Sequence, residues 1–396
     1  MTIRPSLRRI LTISGFSLAA AALLAGCAAA VGGRKTRGYL VYVGTNVASA
    51  TDNTIYLYRL DPATGALTPV SAQPGGPSPT YLALTPDHRR LYAVNETGNF
   101  QGQSSGSLRA FSVNQQTGAL TLLNEQPSTG ASPCYVSLDR TGKAVLVANY
   151  TGGNVALLPV GADGQLVAPT ATDQHEGRGP HPNQDRAHAH CIVPDPANAY
   201  AFSVDLGTDQ VTAYRLQPAQ GQLARQPEPA FQAKPGAGPR HLTFAPGGKR
   251  AYLINELNST LTALDYDAAA GRFRELQTVP TLPGSYTGTN SCADVHVSPD
   301  GRFLYASNRG HNSIAVFALD AASGQMSLVQ HISTEGQTPR NFTLDPTGRL
   351  LLVANQNSNN IVTFRVDQAT GQLTSTGQTV TLPSPMFVQV AEDFTR

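Results

Sequence analysis

Tryptophan is absent from the 396 residues, and charged side chains make up only 14% of them. The first absence rules out a repeat built on the Trp-Asp dipeptide; the second makes the few charges informative wherever they gather. Basic residues number 28 and acidic ones 26, which leaves no concentrated basic face for a nucleic acid, and no such partner is expected. Cysteine is scarce as well. Cys27, Cys134, Cys191 and Cys292 lie far apart, and no Cys-x-x-Cys pair occurs. The three thiols after Cys27 cannot all pair internally, so free thiols are expected rather than a disulfide framework. No GxxxxGK[ST] phosphate loop is present. No segment sustains a 3.6-residue apolar period, which points to an all-β chain.

Only the beginning of the sequence carries a long apolar run. Arg4, Arg8 and Arg9 precede a stretch from Ile10 to Leu24, roughly 15 residues against the roughly 20 of a spanning helix. It ends in Leu24-Ala25-Gly26-Cys27, which resembles the lipobox of bacterial lipoproteins. The resemblance implies a signal peptide over residues 1–26, a lipid on Cys27 and a tether over residues 27–37. It also implies an exported protein held to a membrane on the periplasmic or cell-surface side. Removing residues 1–26 deletes three arginines and no acid, leaving 25 basic against 26 acidic residues.

The remainder repeats one pattern: an apolar strand closing on Asn or Asp, a polar turn, a second strand, a Gly-containing turn, a third strand and a long loop. The closing residues are Asn46, Asn95, Asn149, Asp205, Asn255, Asn308 and Asn355, spaced between 47 (308 to 355) and 56 (149 to 205). A period near 50 built from short strands is the signature of propeller blades. A further strand precedes each closing strand, as in Arg240 to Phe244, giving four per blade. The first blade lacks this innermost strand at its N-terminal end, and Pro385 to Ala391 has the character to supply it. The expectation is a seven-bladed, four-stranded β-propeller over residues 38–396, closed by strands from both ends, with no open edge. A closing Asn can bond local backbone, so these seven residues are expected to be structural.

Polar chemistry gathers at equivalent places in blades four to seven. The stretch from Gly177 to Pro194 holds three of the nine histidines, and the alternation from Ala187 to Val193 puts His188 and His190 on one strand face. Blade five offers Arg240, His241 and Glu256; blade six Asp294, His296, Arg309 and His311; blade seven Arg340, Asn341 and Gln356. Glu96 also follows a closing Asn, so Glu256 alone is not distinctive.

Gly238-Pro239-Arg240-His241, Asn255-Glu256-Leu257, Asn308-Arg309-Gly310, Pro339-Arg340-Asn341 and Asp205-Leu206-Gly207-Thr208-Asp209 together resemble the seven-bladed propeller lactonases. That family includes propeller-type 6-phosphogluconolactonases and fungal carboxymuconate-lactonizing enzymes. The resemblance implies hydrolysis of a sugar-type lactone without a cofactor. It implies a catalytic set of His188, His190, Arg240, Glu256 and Arg309, with His241, Asp294, His296, Arg340 and Asn341 binding substrate. Two positions depart from the family pattern: Ala187 stands where Pro is common, and Asp294 where Glu is common. The family's best-known substrate is 6-phosphogluconolactone, but phosphorylated sugar lactones belong to the cytoplasm, so export opens the alternatives of an unphosphorylated aldonolactone or another cyclic ester. Closing a lactone from a muconate-like diacid, and binding without catalysis, are the alternatives.

The residue types suit the chemistry independently. A base near neutrality could be His188 or His190, or Glu256 if burial raises its pKa. Arg240 and Arg309 could hold a substrate anion and stabilise the oxyanion with forked donors. A metal on His188, His190 and Asp185 or Asp205 is not expected, since no third and fourth ligands stand out. Gly102 to Gly106 matches GxSxG but lacks the strand-turn-helix context that would expose its serine.

Overall fold

In the strand Tyr39–Thr45 every residue is buried. Successive side chains point to opposite faces: Leu40 and Tyr42 pack with Leu91 and Phe111 of the next blade, and Tyr39, Val41 and Val43 with Leu350 and Leu352 of the last. Every blade divides its side chains in this way, so the apolar core is seven clusters, each between two neighbouring blades. A fully buried Leu or Phe contributes about 1.5–3 kcal/mol, and these contributions are spread around the ring. Tyrosines latch the blades together. Tyr42, Tyr92, Tyr252 and Tyr305 each donate a hydroxyl to a glycine carbonyl, of Gly118, Gly164, Gly324 and Gly371, in the next blade's outer turn.

This is a computed structural model, describing residues 38–395. The expected signal peptide, the expected tether and Cys27 lie outside the described residues. Seven antiparallel sheets make the expected seven-bladed propeller. Pro385–Glu392 pairs with Tyr39–Thr45, with Tyr39 opposite Glu392, and so closes the ring. Among the described residues no helix is long and apolar enough to cross a membrane. Cys134, Cys191 and Cys292 are free and buried.

Two details differ from the sequence reading. The outer strand of blade four is split into Gln222–Arg225 and Phe231–Gln232, both paired with Gln210–Gln217. Pro227 and Pro229 fall in the gap, where each lacks the N–H a ladder needs. In blade one the strand closes on Thr45, not Asn46. Gly44 lies opposite Ile55 as Val94 lies opposite Leu108, so Thr45 corresponds to Asn95. Thr45 is buried and its hydroxyl donates to the Thr54 carbonyl.

The closing asparagines bond structural partners, though mostly carbonyls of the preceding loop rather than the local backbone expected. Asn95 reaches the carbonyls of Gly75 and Pro77, Asn149 that of Ser128, Asn308 that of Thr281 and Asn355 that of Thr334. Asn255 bonds the hydroxyls of Thr260 and Thr262.

The innermost strands all begin at the channel end where the closing residues sit, as Pro239 opposite Asn255 shows. They finish at the other end, where Tyr39 and Glu392 lie. The channel therefore has two mouths, and the chain enters and leaves the propeller at the mouth away from the closing residues.

Candidate active site

The innermost strands carry a register shift at their first residues in six blades, where two residues face one. Such bulges bend a strand and re-aim a side chain. The extra residues include Met386, Cys134, His190, Arg240 and Arg340. Cys134, Arg240, Arg340 and Met386 line one narrow cavity of about 10 Å³ together with Thr80 and Glu96.

A second ring stands just above. Asn46, Glu96, Tyr150, Leu206, Glu256, Arg309 and Gln356 each follow a closing residue. Each donates its backbone N–H across to the loop entering the innermost strand, at Ser384, Ser78, Ser132, His188, Gly238, Ser291 and Thr338 respectively, over 2.7–3.0 Å. Five of those acceptors have left-handed backbone, among them Gly238 at φ 60° and Thr338 also at 60°. For a β-branched threonine this conformation is strained, and such strain collects at functional sites where the surroundings impose it.

The two rings meet at Glu256. Its Oε2 lies 3.0 Å from Arg240 Nε and its Oε1 2.8 Å from Arg309 Nη2. Arg309 also donates to the carbonyls of Ser291 and Cys292, and Arg240 to that of Ala293. Burial would raise the Glu256 carboxyl, but Arg309, Arg240 and Arg340 outweigh it and hold the group below the usual glutamate range. Glu256 therefore stays ionised, and the condition on which it was to serve as a base near neutrality, a pKa raised by burial, is not met. Burial, then repulsion from Arg309 and Arg340, pushes Arg240 down to about 10, still charged at neutral pH. Arg340 is half-buried and forms no ion pair among the described residues.

Beneath the arginines lies a neutral and ionised layer. Arg240 Nη1 donates to His241 Nε2 at 3.2 Å, which leaves the imidazole proton on Nδ1 to be donated to Asp294 at 2.8 Å. Burial, then Arg240, pushes His241 down to about 4, consistent with that neutral tautomer. Asp294 also accepts from His296 at 3.0 Å and from Asn341 at 2.5 Å. Burial would raise its carboxyl, but His296 and His241 hold it far below the carboxylate range. Burial opposes charge on His296, yet Asp294 raises it. The shorter aspartate thus meets three partners.

A family model described as lactonase, seven-bladed β-propeller, matches residues 40–390. The chain belongs to this lactonase family. A 6-phosphogluconolactonase of Bacillus subtilis is 39% identical over 351 residues, covering 89% of this chain and 98% of the relative. Another from Formosa agariphila is 35% identical over 270 residues, 67% of this chain and 75% of the relative. The crystal structure of a periplasmic gluconolactonase from Pseudomonas aeruginosa superposes with TM-score 0.84 at 36% identity, covering 89% of this chain and 99% of that one. The chain is accordingly a lactone hydrolase. The muconate and binding-only alternatives draw no support from these relatives.

In this lactonase the two histidines of blade four both contact Tyr150. His188 stacks on its ring at 4.5 Å and His190 meets the edge at 5.4 Å. They differ in surroundings. Nδ1 of His188 is 3.1 Å from the Tyr150 carbonyl and Nε2 is 2.9 Å from Asp185. His190 is 4% exposed; burial, then Arg240, His241 and Arg340, drives it well below the usual range, so it is neutral. Asp205 is committed elsewhere, accepting from the His188 N–H and from buried His175, and no cluster of metal-binding side chains occurs among the described residues. His311 lies aside, packed on Tyr286 at 4.8 Å. Sequence reasoning passed over Thr80 and Tyr150 and set Glu96 aside. The signal was its place after Asn95, matching Glu256 after Asn255.

Proposed function

We propose that this lactonase hydrolyses an unphosphorylated aldonolactone, with Arg240, Arg309 and Glu256 at the reacting end and Arg340 on the substrate. The observation that carries the reading is Glu256 ion-paired to two guanidiniums. The carboxylate fixes both forks, and their remaining N–H groups are aimed in advance at a developing oxyanion. Preorganised donors of this kind contribute roughly 10²–10³ in kcat each. Water adds to the lactone carbonyl, the oxyanion is held by the arginines, and collapse breaks the ring C–O bond to give the hydroxy acid. His241 and Asp294 position Arg240 from below.

The charge balance supports a neutral sugar. Glu256 and Glu96 offset two of the three guanidinium charges, a formal balance of +1, whereas a phosphate monoester carries about −2 and calls for several free donors. The periplasmic gluconolactonase relative and the lipobox-like Leu24-Ala25-Gly26-Cys27 support a lipid-anchored, exported enzyme acting on such a lactone.

The test is ring opening of glucono-δ-lactone and its 6-phosphate by the full-length protein in mild detergent, against the spontaneous rate. Faster opening of the unphosphorylated lactone, lost in Arg240→Ala and Glu256→Ala proteins that still fold, is the expected outcome. Preference for the 6-phosphate would overturn the substrate, and full activity in both variants would overturn the site.

A further inference from the structure

We propose that Glu96 is the general base of this hydrolysis, removing the proton from the attacking water. The proposal rests on the lactonase reading of the same site. The other candidate bases are occupied. Both oxygens of Glu256 face guanidiniums. Both nitrogens of His188 face oxygens, of Tyr150 and Asp185. His190 is enclosed, with Nδ1 3.7 Å from the Cys134 sulfur and its ring against those of Tyr150 and His241.

Glu96 is half-buried in blade two. Thr80 donates to its Oε2 at 2.6 Å, which fixes the carboxylate and leaves Oε1 without a partner among the described residues. No guanidinium pairs with it there, yet it lines the same cavity as Arg240 and Arg340. That cavity, about 10 Å³, has the size of about one water. A single water held there by the Glu96 carboxylate, beside Arg240, is set for attack on a carbonyl whose oxygen faces Arg240 and Arg309.

The step balances as follows. Glu96 takes one proton from water while the water oxygen bonds to the carbonyl carbon and the carbonyl electron pair moves to oxygen. Collapse restores the C=O, breaks the ring C–O bond, and the leaving ring oxygen takes the proton back from Glu96 to become a hydroxyl. The new carboxylic acid releases its proton to solvent.

The experiment compares full-length wild type, Glu96→Gln, Glu96→Asp and Glu96→Ala on glucono-δ-lactone. Glutamine keeps an acceptor for Thr80 but no base. Its kcat should fall about 10²-fold or more with KM within about threefold and an unchanged melting temperature. Glu96→Asp should lose less than Glu96→Ala, and added formate should restore part of the Glu96→Ala rate. Wild-type kcat in a folded Glu96→Gln protein, or equal activity of the Asp and Ala variants without formate rescue, would overturn the proposal alone. A wild type no faster than buffer would overturn the lactonase reading, and this proposal with it.

Discussion

The two mouths of the channel are built from the same seven strands yet differ in kind. At the entering ends lie Arg240, Arg340, Glu256 and Glu96 around a narrow cavity. At the finishing ends lies the larger cavity, about 480 Å³, with a mixed lining that includes Leu84, Leu138, Leu242 and Phe244 beside Asp139, Arg140 and Gln389. Between them the rings of Tyr81, Tyr135 and Phe387 pack at 4.1–4.2 Å and close the bore. Size would direct attention to the wide mouth. Chemistry does not, because charges that must point in fixed directions need strained loops and bulges to hold them. The bulges that aim Arg240 and Arg340 occur at the narrow mouth.

Four measurements press on this division. Arg240→Ala should have the largest effect, a fall of about 10³ in kcat/KM, and it also leaves Glu256 with one partner, so the melting temperature should drop. Tyr81→Ala opens the floor between the mouths. It should cost about 3–4 kcal/mol in urea unfolding and lower kcat far less than Arg240→Ala; an equal loss would mean the floor takes part in the chemistry.

The Asp294 and His296 pair gives a pH signature. Asp294 is depressed, so its stabilisation is present above its unfolded pKa, about 3.9, and fades as pH falls through the lower folded value. His296 is raised, so its stabilisation is complete below its unfolded pKa, about 6.5, and is lost as pH rises through the folded value. Urea midpoints should show the pair's contribution greatest between about pH 4 and 6.5, and Asp294→Asn should flatten both limbs. The smallest effect belongs to the wide mouth. Arg140→Ala removes a bond to the Asp195 carbonyl and should change kcat by less than about twofold and stability by about 1 kcal/mol or less. A tenfold loss of activity would break the division.

The blades were legible because local rules repeat: closing Asn, Gly turn, apolar strand. The pairing of Pro385–Glu392 with Tyr39–Thr45 was legible because one blade was short of a strand. Thr45 was hidden by Asn46 beside it, since one residue of register is invisible until the partner strand is placed. The arginines and Glu256 stood out as charges in a chain with few. Their bulges did not, because an extra residue in a strand leaves no mark in the apolar alternation. Glu96 was set aside for a related reason. Read along the chain, blade two is distant from blades five and seven; around a ring it shares a cavity with them. The protonation of Glu256 could not be inferred either, because it depends on how many guanidiniums surround it.

Because Tyr39 and Glu392 both sit at the finishing end of the bore, the propeller's chain begins and ends at one mouth, and the charged mouth is built from internal loops alone.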